Sequence, residues 1–456
     1  MEPFQTNPPI NEQINRRGEL FSKILRTRGE IRKWVYDTFP SEREFTGGCL
    51  DQTNNIILIL GSPRSGTSVV KSILATNREI LSLPGEHRYY FTLLRKNFPD
   101  IGVFKECDNT PVEYESKTSL LESIFYETGQ PFAGQLSKSI IQKYSFDWAA
   151  RLIVQWPDLE LDPNKIVSHV NDACSKYCKL GKDNLEYLDL LLLKEFVKLN
   201  DEINPYYYDV NQEILKENFK EFRRIVHPPG NTIIEISPFI ILKPQKVRSG
   251  RDVKSKLLLK ASSDPYRMDT ISDLFEGYKL NIIHLTRNPL AAINGLIDGW
   301  EHNCFWQHEL RSPFYLKVED TSDFWMDWNF DLYESFNPYL KKELVDLCAD
   351  QWIDSNKTII KYLNSKNAET FLRIKFESFQ LPSKRVIFFK EINDFLGIDE
   401  FFSIPSTVKQ VNITAPPKTK RWQNRSNILL PLLEKIELTS LADLIGYKTA
   451  EIDSWL

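Results

Sequence analysis

The chain has little cysteine, no long apolar run and no excess of charge of either sign, and each shortage removes a class of function. Its 456 residues include six cysteines, Cys49, Cys107, Cys174, Cys178, Cys304 and Cys348. Only Cys174 and Cys178 stand close, one helical turn apart and without a histidine cluster, so neither a disulfide framework nor a metal site is indicated. The thiols read as reduced. No apolar run approaches the ~18 residues of a membrane span, and the polar, proline-bearing stretch from Met1 to Arg17 lacks the apolar centre of a secretory leader. These features predict a soluble, cytoplasmic protein. Lysine and arginine number 58 against 62 aspartates and glutamates, a net charge of −4. That balance argues against broad binding to nucleic acid or to an anionic membrane, so any basic site must be local. There is no internal repeat and no low-complexity segment.

What remains is a long chain with 41% apolar residues, enough for a large core. Short apolar strands alternating with helices predict an α/β fold whose mostly parallel sheet is covered on both faces. Strands are expected over residues 56–60, 80–83, 232–236, 257–260, 280–285 and 371–376. Helices are expected over 19–39, after Ser68, from Pro289, and up to Phe395-Leu396-Gly397. Between about Phe98 and Pro228, amphipathic stretches such as 140–156 and 185–199 predict a large helical insertion. The expected organisation is an N-terminal arm and helix (1–50), a first part of a nucleotide-binding core (51–97), a helical, acceptor-binding insertion (98–230) and a second part of the core (231–456) ending in a basic loop and helix.

The most specific feature is Gly61-Ser62-Pro63-Arg64-Ser65-Gly66-Thr67-Ser68, which follows Ile56-Ile57-Leu58-Ile59-Leu60 and leads into Val69, Val70, Ile73 and Leu74 on one helix face. A strand, a turn of small residues and a helix make a phosphate cradle. The backbone closes around an anion, and the free N–H groups of the helix start point at it with the positive end of the macrodipole behind them. A Walker loop would carry a lysine where Thr67 stands, so the usual grip on a β/γ-phosphate pair is missing. Arg64 instead offers a planar, permanently charged fork for sulfate or phosphate oxygens. A second informative place is Ile282-Ile283-His284-Leu285-Thr286-Arg287-Asn288-Pro289. A buried strand that turns there into a helix puts Arg287 at the carboxyl edge of the sheet, where open α/β folds bind ligands.

The loop resembles the 5′-phosphosulfate loop of the sulfotransferases, which take a sulfuryl group from 3′-phosphoadenosine 5′-phosphosulfate (PAPS) and release 3′-phosphoadenosine 5′-phosphate (PAP). The resemblance covers the loop and the chain from about Leu257 onward. It implies a three-layer, P-loop-like core, PAPS as donor, and direct in-line transfer without a metal. Ser62, Arg64, Ser65, Gly66, Thr67 and Ser68 would then hold the 5′ side of the donor, and Arg287 its 3′-phosphate. The serine that the family places eight residues after that arginine is Gly295 here, preceded by Asn294. Asn294 or backbone N–H groups are left to fill its part. Leu257-Leu258-Leu259-Lys260-Ala261-Ser262-Ser263 resembles the family's strand ending in a lysine that lies near the bridging oxygen and the transferring group, so Lys260 takes that part.

Where some cytosolic members place a catalytic histidine this chain has Ser262, and the base must come from elsewhere. The spacing from Arg64 to Glu86, within Pro84-Gly85-Glu86-His87-Arg88, resembles that of the tyrosylprotein and carbohydrate-type enzymes, whose base is a glutamate there. Glu86 is therefore the first candidate, with a pKa expected to be raised by partial desolvation. His87 is the second, since an imidazole works near neutrality unperturbed. The proline-rich turn carrying Lys418, Lys420, Arg421, Trp422 and Arg425 resembles the late basic loop that closes over the 3′-phosphate or the adenine. Asp350-Gln351-Trp352 and Phe376-Glu377 match further landmarks and read as packing features. Aromatics at Trp300, Phe305, Trp306 and 324–328 either line an acceptor pocket or fill a core, with His302 a remote acid/base candidate. The acceptor is expected to be a hydroxyl or amine of a small molecule. Two other classes stay open: a P-loop nucleotide kinase, for which the Walker lysine is missing, and a non-catalytic protein that binds PAP without transferring sulfate.

Overall fold

The computed structural model describes residues 10–95, 114, 116–132, 134–181, 185–223, 229–302, 306–318, 321–333, 336–337, 341–366, 370–398 and 418–455. Its strands are β1 (Asn55–Leu60), β2 (Ile80–Ser82), β3 (Lys256–Leu259), β4 (Lys279–Thr286), β5 (Trp306–Val318), β6 (Thr321–Asn329), β7 (Lys342–Glu343) and β8 (Phe371–Lys375). Five of them form one sheet in the order β2-β3-β1-β4-β8, with every pairing parallel. The order reverses at β1, from which the chain first builds toward β2 and later crosses to β4 and β8. Such a switch point opens a crevice at the carboxyl ends of the strands.

The central strands read as unbroken apolar runs because both faces are covered. Along β1 successive side chains alternate between two cores. Ile57 and Ile59 pack with Val70, Ile73 and Leu74 of α3 (Thr67–Leu74) and with Phe388 and Ile392 further along the chain. Ile56, Leu58 and Leu60 face a second core shared with the helical part of the chain. That part comprises α1 (Ile10–Thr38), α2 (Pro40–Gln52), α4 (Arg88–Leu93), α5 (Lys117–Glu127), α6 (Lys138–Gln155), α7 (Pro163–Lys179), α8 (Leu185–Leu199) and α9 (Gln212–Asn218). Ser137 caps α6 through Ile140 N, and Asp162 caps α7 with Pro163 in the first helical position, the chemistry a helix start requires. The remaining helices are α10 (Met268–Leu274), α11 (Pro289–Trp300), α12 (Leu344–Leu363), α13 (Phe376–Gln380), α14 (Pro382–Leu396), α15 (Ser426–Leu429) and α16 (Ile436–Leu444). A third core gathers α11, α12 and α16 around Trp300, Trp328 and Trp352. Among the described residues no helix is long and apolar enough to cross a membrane.

One local expectation fails, and one element was not foreseen. Residues 232–236 are not a strand. Asp158 takes Thr232 N and Oγ1 at 2.8 and 2.9 Å, and Arg151 takes Glu235 at 2.6 Å, so side chains of the helical part hold this stretch away from the sheet. The other miss is a small second sheet, β6-β5-β7, whose β5 and β6 pair antiparallel. Pro313 inside β5 argues against a strand because it cannot donate to a ladder. The structure accommodates it in a register shift between Glu309 and Phe314.

Buried ion pairs tie the helical part together. Glu127 receives Arg28 at 2.5 Å, Arg151 at 3.0 Å and the Tyr89 hydroxyl at 2.5 Å. Burial alone would raise its carboxyl, but the two guanidiniums outweigh that and hold it down to about 2. A group held low contributes stability that is complete above its unfolded value of 4.5 and is lost as pH falls toward about 2. Glu127→Gln should cost about 3–5 kcal/mol at pH 7 by taking the carboxylate partner from the buried Arg28. It should also flatten acid unfolding across that window, as followed by circular dichroism. An acid transition as steep as that of the unsubstituted chain would assign the acid sensitivity to other groups.

Candidate active site

The turn after β1 is shaped by two residues in the left-handed region, Arg64 (φ 67°) and Gly66 (φ 87°). Ser65 N donates to Ser62 O at 3.1 Å, and the Ser62 and Ser65 hydroxyls lie 2.7 Å apart. Only glycine suits position 66, because a Cβ there would lie 2.3 Å from the Phe376 ring. Gly66 precedes α3 and makes no side-chain cap bond to the first N–H groups of the helix. A turn built this way presents backbone N–H groups to an anion.

Arg287, at the end of β4, donates from Nη1 to Arg64 O at 2.8 Å and stacks its guanidinium 5.4 Å from the centre of the Phe376 ring. Its Nε is buried without a hydrogen-bond partner. Glu377 holds this turn from α13. Its Oε1 accepts Asn288 N at 2.9 Å and Asn288 Nδ2 at 3.1 Å, while Oε2 accepts the Tyr447 hydroxyl at 2.6 Å. The late basic turn arrives at the same place. Arg421 pairs with Asp298 Oδ2, and Arg425 meets Asp298 Oδ1 at 2.6 Å, Glu301 Oε2 at 2.6 Å and Asn294 Oδ1 at 2.9 Å. All three acceptor side chains, Asp298, Glu301 and Asn294, belong to α11 or its end. Burial, Arg287 and Arg421 together pull Arg64 down to about 10, with Asp298 and Asp209 only partly offsetting them. Guanidiniums crowded in this way repel one another and favour an anion among them.

Gly295 also has a structural reason. A Cβ at that position would stand 3.1 Å from Arg64 Cβ, so a serine there would press on the loop arginine. Asn294, its neighbour, is engaged by Arg425. Lys420 lies in the left-handed region (φ 54°) and reaches Asp453 O at 2.7 Å. Trp422 is buried in the third core.

At the carboxyl ends of β2 and β3 a second group assembles. Lys260 Nζ reaches the Ser68 hydroxyl of α3 at 3.1 Å and pairs with Glu86 Oε1; Glu86 Oε2 accepts Ser262 N at 3.2 Å. The expected rise in the Glu86 pKa is not found. Burial pushes it up, but the Lys260 charge and hydrogen bond, the Ser262 N–H and the Lys71 charge together hold it below the usual carboxylate value. His87 sits deeper, 1% exposed, with Nε2 2.8 Å from the buried Asp264 Oδ1. Asp264 Oδ2 in turn accepts Ala261 N at 2.6 Å. The imidazole and Asp264 thus lie buried side by side where the turn after β2 meets the turn after β3, while Glu86 beside them is partly exposed. On α3, Lys71 Nζ donates to Leu83 O at 2.8 Å and to Gly85 O at 2.5 Å.

The aromatic cluster divides differently. Trp300 is a core side chain: its Nε1 donates to Gln351 Oε1 at 3.1 Å and its ring meets Trp328 edge-on at 5.4 Å. His302 lies just beyond α11, partly exposed. Phe305 and the Trp306 side chain lie outside the described residues.

The sequence reading missed Lys71, Asp264 and Asp298 and took Glu377 for packing. An acid such as Asp298 in the mostly apolar α11 was a usable signal, since a carboxylate is rarely buried unpaired. No protein-family model and no curated protein matches the chain. Among solved structures it is similar to "Sulfotransferase Domain from the Synechococcus PCC 7002 Olefin Synthase", at 15% identity over 87% of this chain and 96% of that one, with a TM-score of 0.36. It is also similar to "Sulfotransferase Domain from the Curacin Biosynthetic Pathway", at 14% identity over 87% of this chain and 99% of that one, with a TM-score of 0.34. At TM-scores this low, neither likeness bears on what this chain does.

Proposed function

We propose that the chain is a sulfotransferase that uses PAPS and delivers the sulfuryl group to a hydroxyl or amine of a small-molecule acceptor. One juxtaposition carries this reading: an arginine cluster (Arg64, Arg287, Arg421) at an uncapped strand-turn-helix lies at the same carboxyl edge as a lysine–carboxylate pair (Lys260, Glu86). The residues fit the donor. The loop backbone and Arg64 suit its 5′ side, and the orphaned Arg287 Nε with Arg421 suits a 3′-phosphate. PAPS, when bound, supplies the sulfuryl group.

The chain's own residues supply the rest. Glu86 is ionised at neutral pH and is placed to take the acceptor's proton. Lys260 is shared between Ser68 and Glu86, so its ammonium can turn to a nearby anionic oxygen. That movement removes the charge holding Glu86 down, and the carboxylate becomes a stronger base where one is needed. Arg64 and the loop N–H groups stabilise negative charge at a preorganised site. Asp209, from the helical part, is among the charges that act on Arg64.

The test compares ligands and one substitution. PAP at about 100-fold above its Kd should add about 2.7 kcal/mol of stability and raise the melting temperature, while ATP with magnesium should not. Arg287→Ala should weaken PAP by about 10- to 100-fold, the loss of a charge-assisted contact. Adenosine 5′-phosphosulfate, which lacks the 3′-phosphate, should lose little. Equal stabilisation by PAP and ATP, or an equal loss for both adenosine ligands, would remove the 3′-phosphate assignment.

A further inference from the structure

Lys71 lies one helical turn beyond Thr67 on α3, the helix that starts at the phosphate loop, and it is 8% exposed. An ammonium is costly to bury and persists where it has strong acceptors. The two acceptors here are backbone carbonyls, Leu83 O at 2.8 Å and Gly85 O at 2.5 Å, and both belong to the segment immediately before Glu86. The charged groups that bear on the ammonium are Glu86, Lys260, Arg151 and Asp264. Burial, Lys260 and Arg151 pull it down to about 7 against the two carboxylates. On its other side the same turn is closed by Arg151, whose Nη2 lies 2.8 Å from where a Cβ on Gly85 would stand. The turn is thus held from below by α3 and from above by α6, and it contains no regular hydrogen-bond ladder beyond β2.

We infer that Lys71 is the positioning residue for Glu86: it ties the Leu83–Gly85 turn to the phosphate-loop helix, so that the carboxylate meets Lys260 at a set distance from the anion cradle. The inference rests on the proposed sulfuryl transfer only for its catalytic consequence. The geometry links the donor loop and the base through one side chain. An error of about 1 Å in such a placement can cost about 100-fold in rate. Lys71 also contributes positive charge near Glu86, so its removal should let the carboxyl pKa rise.

The test uses the full chain with Lys71→Met, Lys71→Arg, Glu86→Gln and the double variant Lys71→Met/Glu86→Gln. Hydrogen–deuterium exchange reads the placement without any substrate. Lys71→Met should speed exchange of the peptide spanning 83–88 by tenfold or more and leave the sheet peptides of β1 and β4 unchanged. Unchanged exchange at 83–88, or faster exchange everywhere, overturns the inference. In turnover, Lys71→Met should lower kcat by about 10- to 100-fold with KM for PAPS within about threefold, and move the acid limb of the kcat profile to higher pH. Lys71→Arg, which keeps charge and donors, should recover at least part of the loss. In the Glu86→Gln background the Lys71→Met change should cost less than about threefold, because both act on one group. Additive losses would show that Lys71 acts elsewhere. Absence of any transfer from PAPS by the unsubstituted chain defeats the functional reading instead, and the exchange result then decides the positioning role by itself.

Discussion

Glu86→Gln should lower turnover by about 10²–10⁴-fold while leaving PAP affinity within about threefold, because the amide keeps the shape of the side chain and loses its capacity to take a proton. The expectation comes from placement rather than from proton affinity in the resting protein. Glu86 is the partly exposed carboxylate at the edge where Lys260, Ser68 and Ser262 N converge, whereas the neighbouring His87 imidazole is buried beside Asp264. His87→Asn should therefore act by disturbing the buried packing between the two turns, with a smaller loss of rate and a fall in melting temperature. Single-turnover transfer of labelled sulfate separates the cases. A mild glutamate change beside a severe histidine change with unaltered stability would reverse the assignment of the base.

Lys260→Met should cost about 10²–10³-fold in kcat, the range for losing one preorganised charge stabiliser, and should also displace the pH profile. In the protein as it stands, Lys260 is the strongest influence holding Glu86 below the usual carboxylate value against burial. Activity that needs the ionised carboxylate is lost as pH falls through the Glu86 pKa. Removing the ammonium leaves burial unopposed by its main counterweight, the pKa rises, and the acid limb of kcat must move to higher pH. A limb that stays in place while the rate falls would mean that Lys260 serves the donor alone and that its pairing with Glu86 has no part in turnover.

Much of this site could be read along the chain because its parts are local. Apolar β1, the small residues of 61–68 and the start of α3 are contiguous, so strand, turn and helix follow from neighbouring residues alone. Arg287-Asn288-Pro289 was equally legible, since an apolar strand ending in a helix start places an arginine at the carboxyl edge wherever the strand lies in the sheet. The alternation of strands and helices was enough for a parallel sheet covered on both faces. Even Gly295 stood out, though only as a departure from an expected serine.

The tertiary structure decided what depends on residues far apart in the chain. Glu86 and Lys260 are 174 positions apart, and their pairing turns an expected rise in the carboxyl pKa into a fall, because a nearby ammonium outweighs desolvation. Residues 232–236 have the composition of a strand but lie against Asp158 and Arg151, whose hydrogen bonds take the place of a ladder. The antiparallel pair β5 and β6 was not expected from the sequence, and Pro313 falls within a register shift of that pair. Trp300 read as lining a pocket or filling a core, and Trp422 as part of a loop over the 3′-phosphate or the adenine; packing around α11 and α12 puts both in a core. Local sequence sets which conformations and charges are available at each segment; which partner meets each charge, and therefore its pKa and its role, is a property of the assembled sheet edge.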